Sequence, residues 1–415
     1  MTASPPTLEA SVAPAADRCA AVEPCLGPPG LPVNAPVTRL QPGTILFGEG
    51  CAARLGEEAR ARGVREVVVV TSGPVRAVCA GVLEEWAAAG LRLRVQDAIN
   101  AEPTVAMFEA CRHAARREAF DGVIGLGGGS ALDVAKLVAA LVEETVPVRE
   151  KFGSGKLAAR RKFLACVPTT AGTGSEVSPN AILLDEATQL KQGIISPHLV
   201  PDVACVDPLL THSLPPEVTA ATALDALTHC IEAYANRFAH PLVDPLALAG
   251  VAAIADGLPM VLADGRHAAA RAQLALGSLL GGLCLGPVNT AAVHALAYPL
   301  GSEFHLAHGL ANALLLPPVL RFNLSAAPER YAAVARALGV GAEAAAPEAA
   351  ARLGVERIEQ LRAACPLPRG LSACGIPRAA LPRLARSAMT VTRLLKNNPR
   401  VLTETDALAI YEEAW

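Results

Sequence analysis

Short apolar runs alternate with longer segments of helical spacing as far as about residue 207, and beyond it the strand-like runs stop. Val67, Val68, Val69 and Val70 form a β-branched run closed by Thr71, Ser72, Gly73 and Pro74, a turn. The pattern predicts a helix over 75–89, a short strand over 91–95, a helix over 107–118 and a buried strand over 122–126. Runs at 164–167, 181–184 and 203–206 add further strands. Alternation of this kind predicts a parallel sheet covered by helices. After Asp207 and Pro208, Ala- and Leu-rich segments run at helical spacing, with breaks expected at Pro215, Pro216, Pro241, Pro245, Pro287, Pro299, Pro317 and Pro318. The chain thus divides near residue 208 into an α/β half and a helical half, with no fixed-period repeat.

Length adds that one core is not enough: 415 residues suit two domains. Apolar residues make up 52% and charged residues 18%, the balance of a compact enzyme with large buried faces. Net charge is −3, from 36 basic against 39 acidic residues, and no basic block tracks a phosphate backbone, so nucleic acid is not expected as a partner. The 11 cysteines are dispersed without a CxxC pair and read as reduced small hydrophobes, which makes the cytoplasm the expected compartment. Residues 1–37 lack a Lys/Arg-rich start and are interrupted by Pro5, Pro6, Pro14, Pro24, Pro28 and Pro29, so a disordered Ala/Pro-rich extension is expected rather than a signal peptide. No membrane span is expected: the very apolar stretch at 274–285 is too short and carries glycines, as a buried core helix would.

Chemistry enters first with Gly127, Gly128, Gly129 and Ser130, which follow the strand at 122–126 and precede a helix start at 131–136. Glycines let the backbone approach a pyrophosphate, and a helix N-terminus offers free N–H groups and partial positive charge. The run is neither GxGxxG nor a P-loop, and by itself it could be only a tight turn. A second loop after a strand, from Pro168 through Thr169, Thr170, Ala171, Gly172, Thr173, Gly174 and Ser175 to Glu176, is too polar to pack a core. It can line a ligand with hydroxyls and main-chain N–H groups, or simply be solvated.

Asp225 and His229 stand four residues apart on a predicted helix, so both can reach one ion from the same face. Such a pair is also common as a surface or capping contact. His294, His305 and His308 follow in an apolar region, where a neutral imidazole must be paired or liganded. One Asp and three His suit Fe(II) or Zn(II) and lack the thiolates of a structural zinc site. Spacing leaves His305 and His308 both open as the fourth ligand. His113, His198, His212, His240 and His267 sit beside prolines or in polar surroundings and are not expected to bind metal.

From about Arg39 to Trp415 the chain resembles the iron-containing (group III) alcohol dehydrogenases, of dehydroquinate-synthase-like fold. The motifs occur in order: Ile45, Leu46, Phe47 and Gly48; Gly127 to Lys136; Pro168 to Ser175; Ser196, Pro197 and His198 with Asp207 and Pro208; Asp225 to Tyr234; His294 to Pro317; and Asn397, Asn398, Pro399 and Arg400 with Tyr411. The resemblance implies an α/β N-terminal nucleotide-binding domain with a parallel sheet over 38–207, then an all-α metal-binding and catalytic domain over 208–415. It implies Asp225, His229, His294 and His308 as metal ligands, choosing His308 over His305. It also implies that Gly127, Gly128, Gly129 and Ser130 hold the pyrophosphate, that Thr169, Thr170, Thr173 and Ser175 line the nicotinamide end, and that Ser72, Asp133 and Lys191 contact the cofactor.

The activity so implied is hydride transfer between NAD or NADP and a small alcohol or aldehyde, with Fe(II), or Zn(II), as a Lewis acid on the substrate oxygen. A homodimer or larger homo-oligomer is implied as well. Two departures stand out. Where many relatives carry a histidine four residues after His294, this chain has Tyr298, whose hydroxyl could relay a proton, contact substrate or only pack. Where NAD-strict relatives carry Thr-Asp, it has Thr71 and Ser72, so nothing repels a 2′-phosphate and NADP is expected to be accepted. With no arginine evident near the metal motif, neutral short or medium alcohols are expected. The rival readings are a metal-independent reductase such as the maleylacetate reductases, a lyase of dehydroquinate-synthase type, and a shell that has lost chemistry; the complete ligand set speaks against all three.

Overall fold

The computed structural model describes residues 36–341 and 345–415, so the extension expected at 1–37 lies outside the described residues apart from Pro36 and Val37. The α/β half contains nine strands in chain order. They are β1 (Thr44–Phe47), β2 (Glu66–Val70), β3 (Arg92–Gln96), β4 (Gly122–Gly127), β5 (Gly153–Ser154), β6 (Phe163–Pro168), β7 (Asn180–Asp185), β8 (Leu190–Ile195) and β9 (Val203–Val206). Six form one sheet in the order β1-β9-β6-β4-β2-β3, and every neighbouring pair is parallel. The other three form a small mixed sheet, β7 antiparallel to β8 and β5 parallel to it. The strand expected at 181–184 therefore belongs to this second sheet and not to the parallel one, and its hairpin partner β8 was not foreseen: Lys191 and Gln192 break up its apolar pattern.

Val67, Val68, Val69 and Val70 are fully buried, because helices cover both faces of β2 and no side of the strand meets water. One face packs Val68, Val123 and Leu164 under α4 (Val105–Ala115) and α5 (Gly129–Leu141). The other packs Val67, Ile124 and Ala165 under α1 (Leu55–Ala61), α2 (Gly73–Val78) and α3 (Ala80–Ala88). The single helix expected over 75–89 is two helices, interrupted at Cys79, whose ψ of 18° leaves the α region. Gly127 and Pro168 face each other at the ends of β4 and β6, so the two polar loops leave the sheet side by side at its carboxyl edge.

The helical half runs α6 (Pro216–Tyr234), α7 (Asp244–Ala263), α8 (Ala268–Leu285), α9 (Ala292–Phe304), α10 (His308–Asn323), α11 (Pro328–Ala337), α12 (Pro347–Ala363), α13 (Leu381–Ala388), α14 (Thr392–Leu395) and α15 (Glu404–Ala414), with no strand among the described residues. Pro299, Pro317 and Pro318, expected to break helices, lie inside α9 and α10. Burial of both helices in one core outweighs the lost N–H bonds. In the turn that Pro299 opens, the Tyr411 hydroxyl donates to Leu296 O at 2.5 Å. Helices α7 and α8 are long and apolar enough to cross a membrane by length and composition, but 61% and 67% of their apolar windows is buried within the protein.

Candidate metal and cofactor site

Three helices bring the expected ligands together. α6 carries Asp225 and His229, α9 carries His294 and Tyr298, and α10 begins at His308. α10 can start this close to α6 because Gly309 faces Ala221: a Cβ at Gly309 would lie 2.5 Å from Ala221 O. From Asp225 Oδ1, the Nε2 atoms of His294, His308 and His229 lie 3.6, 3.8 and 4.0 Å away. Ligands at about 2.1 Å around a tetrahedral ion stand about 3.4 Å apart; the ligand atoms of Asp225, His229 and His294 all lie within 4.8 Å of one another, and His308 stands outside that group, near Asp225 alone among them. Asn312 Nδ2 points into the same space, 2.6 Å from Asp225 Oδ1, 3.1 Å from His294 Nε2 and 3.3 Å from His308 Nε2. An amide N–H among so many acceptors provides the positive pole that an ion would supply. The donor set and its convergence fit Fe(II) or Zn(II). His305 points elsewhere: it is exposed and caps α9 at φ 54°.

The electrostatics suit a cation as well. Burial alone would push the Asp225 carboxyl up, but His229, His308 and His294 around it hold it below the ordinary carboxylate range. Burial pushes the His229 imidazole down to about 4 and that of His308 to about 3, so both keep free lone pairs at neutral pH. Burial works the same way on His294, yet Glu232 and Asp225 overcome it and raise it to about 9. Glu232 Oε2 lies 2.6 Å from His294 Nδ1, and Gly172 O lies 3.2 Å from His229 Nδ1, which turns both Nε2 atoms toward Asp225.

The cleft above these ligands opens to solvent and holds a cavity of about 180 Å³. Gly129, Ser130, Asp133, Thr173, Ser175 and Lys191 form part of its wall. No side chain caps α5, whose N-terminal N–H groups remain available to an anion. Gly129 leaves room that a side chain would take, since a Cβ there would meet Thr173 Cγ2 at 2.7 Å, whereas one on Gly128 would make ordinary contact with Thr170 Cγ2 at 3.5 Å. Gly127 sits at φ +154° beneath them, and Thr169 N donates to its carbonyl at 3.0 Å.

Asp133 accepts from Ser175 Oγ at 2.5 Å and from Ile182 N at 2.9 Å, so both its oxygens brace the loop. Lys136, fully buried, donates to Ser175 O at 2.8 Å and Asn180 O at 2.5 Å and ties the same loop down from below. Lys191 pairs with Glu102 across the cleft mouth. Ser72 lies two residues beyond β2, outside this wall, and caps α2, its hydroxyl accepting from Val75 N at 3.4 Å.

Sequence reasoning missed four participants. Glu232 continues the Asp225 and His229 stripe at i+7, a signal that was there to be used. Asn312 stands one turn after His308 in the same way. Glu102 had no local signal. The expectation of no arginine near the metal motif is corrected: Arg393, remote in sequence, lines the cleft beside Tyr298, whose ring centroid is 6.2 Å from that of His308. The short α14 returns it there.

A parallel sheet with two polar loops at its carboxyl edge, closed by a helical half that presents one Asp and three His, is the arrangement of the iron-type alcohol and aldehyde oxidoreductases. Residues 42–208 match the iron-containing alcohol dehydrogenase family, and residues 219–415 match the C-terminal domain of the Fe-containing alcohol dehydrogenases. The chain belongs to the iron-containing alcohol dehydrogenase family. It is 39% identical over 377 residues to long-chain-alcohol dehydrogenase 1 of Geobacillus thermodenitrificans, covering 89% of this chain and 94% of that one. The crystal structure of a 1,3-propanediol oxidoreductase superposes with a TM-score of 0.89 at 31% identity, covering 92% and 100% of the two chains. A sulfoacetaldehyde reductase from Bifidobacterium kashiwanohense, solved in complex with NAD+, gives 0.83 at 28% identity, covering 92% and 99%.

Proposed function

We propose that the protein is a metal-dependent oxidoreductase that moves a hydride between NAD(P) and a small alcohol or aldehyde, with Asp225, His229, His294 and His308 as the ligands. The observation that carries this reading is the approach of Asp225, His229 and His294 within 4.8 Å of one another, with His308 Nε2 3.8 Å from Asp225 Oδ1, in the cleft that the uncapped start of α5 also enters. Fe(II), or Zn(II) in its place, supplies Lewis acidity at that corner when bound.

The chain's own residues do the rest. Asp225 brings the negative charge, and the neutral His229 and His308 bring lone pairs. The Gly127, Gly128, Gly129 and Ser130 backbone receives the pyrophosphate, with Thr170 and Thr173 packed against it. Ser175, held by Asp133, and Lys191, paired with Glu102, face the nicotinamide side, while Thr169 fixes the root of that loop. Burial raises the Tyr298 hydroxyl above its ordinary value, so it keeps its proton at neutral pH and can donate to a substrate oxygen. Ser72 puts no negative charge at the end of β2, which supports use of NADP beside NAD. Nine described cysteines are free thiols, which supports a reducing, cytoplasmic setting, and we assign a homodimer or larger homo-oligomer on family likeness.

The test is a panel of alcohols and aldehydes followed by nicotinamide absorbance, on protein reconstituted with Fe(II) or Zn(II), with NAD and NADP compared. Turnover that needs the ion and accepts both cofactors is expected. Turnover that survives chelation overturns the metal reading, and refusal of NADP overturns the cofactor reading.

A further inference from the structure

Two cavities share one wall. Tyr298, Lys191 and Arg393 bound the metal cleft and also bound a second cavity, whose other side carries the hydroxyls of Ser302, Ser387, Thr390 and Thr392. Both cations in the wall could attract an anion, but they are not equivalent. Lys191 is nearly buried and already paired with Glu102. Arg393 is half-buried, and among the described residues no carboxylate forms an ion pair with it. Its polar neighbour is the neutral hydroxyl of Tyr298. A guanidinium drawn partly out of water, beside hydroxyls and without a counter-charge, is an incomplete site that an anion completes.

We propose that Arg393 receives the anionic end of the substrate, and that the substrates are aldehydes, with their alcohols, bearing a carboxylate. This rests on the reading of the cleft as an alcohol and aldehyde redox site. Tyr298 stands between the two ends: its ring is 6.2 Å from that of His308, and Arg393 acts on its hydroxyl. The planar fork of Arg393 can take both oxygens of a carboxylate, and the Ser387 and Thr392 hydroxyls behind it can take a remaining lone pair, those of Ser302 and Thr390 already donating to Pro299 O and Ser387 O.

The experiment compares kcat/KM for 4-oxobutanoate and for butanal in the Fe(II)-loaded enzyme, its Arg393→Ala variant and its Arg393→Lys variant. The wild type should prefer the anion. The ratio of the two should fall about tenfold to a hundredfold in Arg393→Ala, through KM, and recover in part in Arg393→Lys. Succinate titrated by calorimetry into the cofactor-loaded wild type should bind, and binding should be lost in Arg393→Ala. An unmoved ratio, or a loss that falls on the cofactor KM instead, overturns the proposal while turnover of butanal leaves the redox reading intact. Failure of the wild type on both aldehydes overturns the redox reading, and the succinate titration then decides separately whether Arg393 holds an anion.

Discussion

Glu232 and His294 are locked together: Glu232 Oε2 lies 2.6 Å from His294 Nδ1, while Oε1 accepts the Val293 N–H at 2.6 Å. Two anchors on one carboxylate fix its plane, and the plane fixes the imidazole so that Nε2 faces Asp225 at 3.6 Å. A carboxylate behind a liganding histidine raises its basicity and removes its rotational freedom. Glu232→Gln keeps the size and loses the charge. Metal affinity, measured by competition with a chromophoric chelator, should fall about tenfold to a hundredfold with the fold intact. Unchanged affinity would mean that Glu232 only fills space behind the ring.

Removing the ion should affect stability as well as turnover. An ion that binds only the folded chain adds about 4 kcal/mol of stability at a thousandfold excess over Kd. Chelation should therefore lower Tm together with activity, and Fe(II) or Zn(II) should restore both. His294→Ala should be insensitive to added metal in either measurement. Activity that survives chelation would point to a metal-independent reductase.

Much of this fold was legible in local pattern. The buried β-branched run Val67–Val70 and the glycine loop after 122–126 each declare themselves within ten residues. The meeting of Asp225, His229, His294 and His308 was legible too, the first pair from its spacing on one helix and the choice of His308 over His305 from the family resemblance. What was hidden depends on long-range closure. Arg393 reaches the cleft only because α14 folds back past α9, and Glu102 meets Lys191 only because the β8 strand turns over the cleft mouth. Pro299 misled for a related reason: its local cost is real, and only the surrounding core explains why α9 continues through it.

Gly174 joins the cofactor loop to the helical half. It sits at φ +60°, and a Cβ there would lie 2.3 Å from Gly282 Cα on α8. Backbone meets backbone at this point, so no rotamer change relieves the clash. Gly174→Ala should cost about 3 kcal/mol or more, from strain of about 1 kcal/mol plus overpacking. The nicotinamide cofactor should also bind more weakly, as read by fluorescence titration, because Thr173 and Ser175 flank the displaced residue. Wild-type stability with weakened binding would place the effect in the loop alone, and no effect on either would refute the contact.

Glu176 gives the protein a pH-dependent stability. It is buried at 2% exposure, and burial pushes its carboxyl up from 4.5 to about 7, against weaker opposing pulls from a backbone N–H and from Lys136. Lys136 beside it is pushed down by burial in turn, so neither group is comfortable charged. A folded-state value raised above the unfolded one favours the folded protein when the carboxyl is protonated. That contribution is whole below about pH 4.5 and is lost as pH rises through 7. At about 1.4 kcal/mol per pH unit, the loss between those limits is on the order of 3 kcal/mol. Glu176→Gln carries no charge to bury and should escape the loss. The variant should gain on the wild type between pH 5 and 8 in urea unfolding followed by circular dichroism, with the gain levelling above pH 7. A difference independent of pH would mean that the Glu176 carboxylate is already ionised in the folded protein at pH 5.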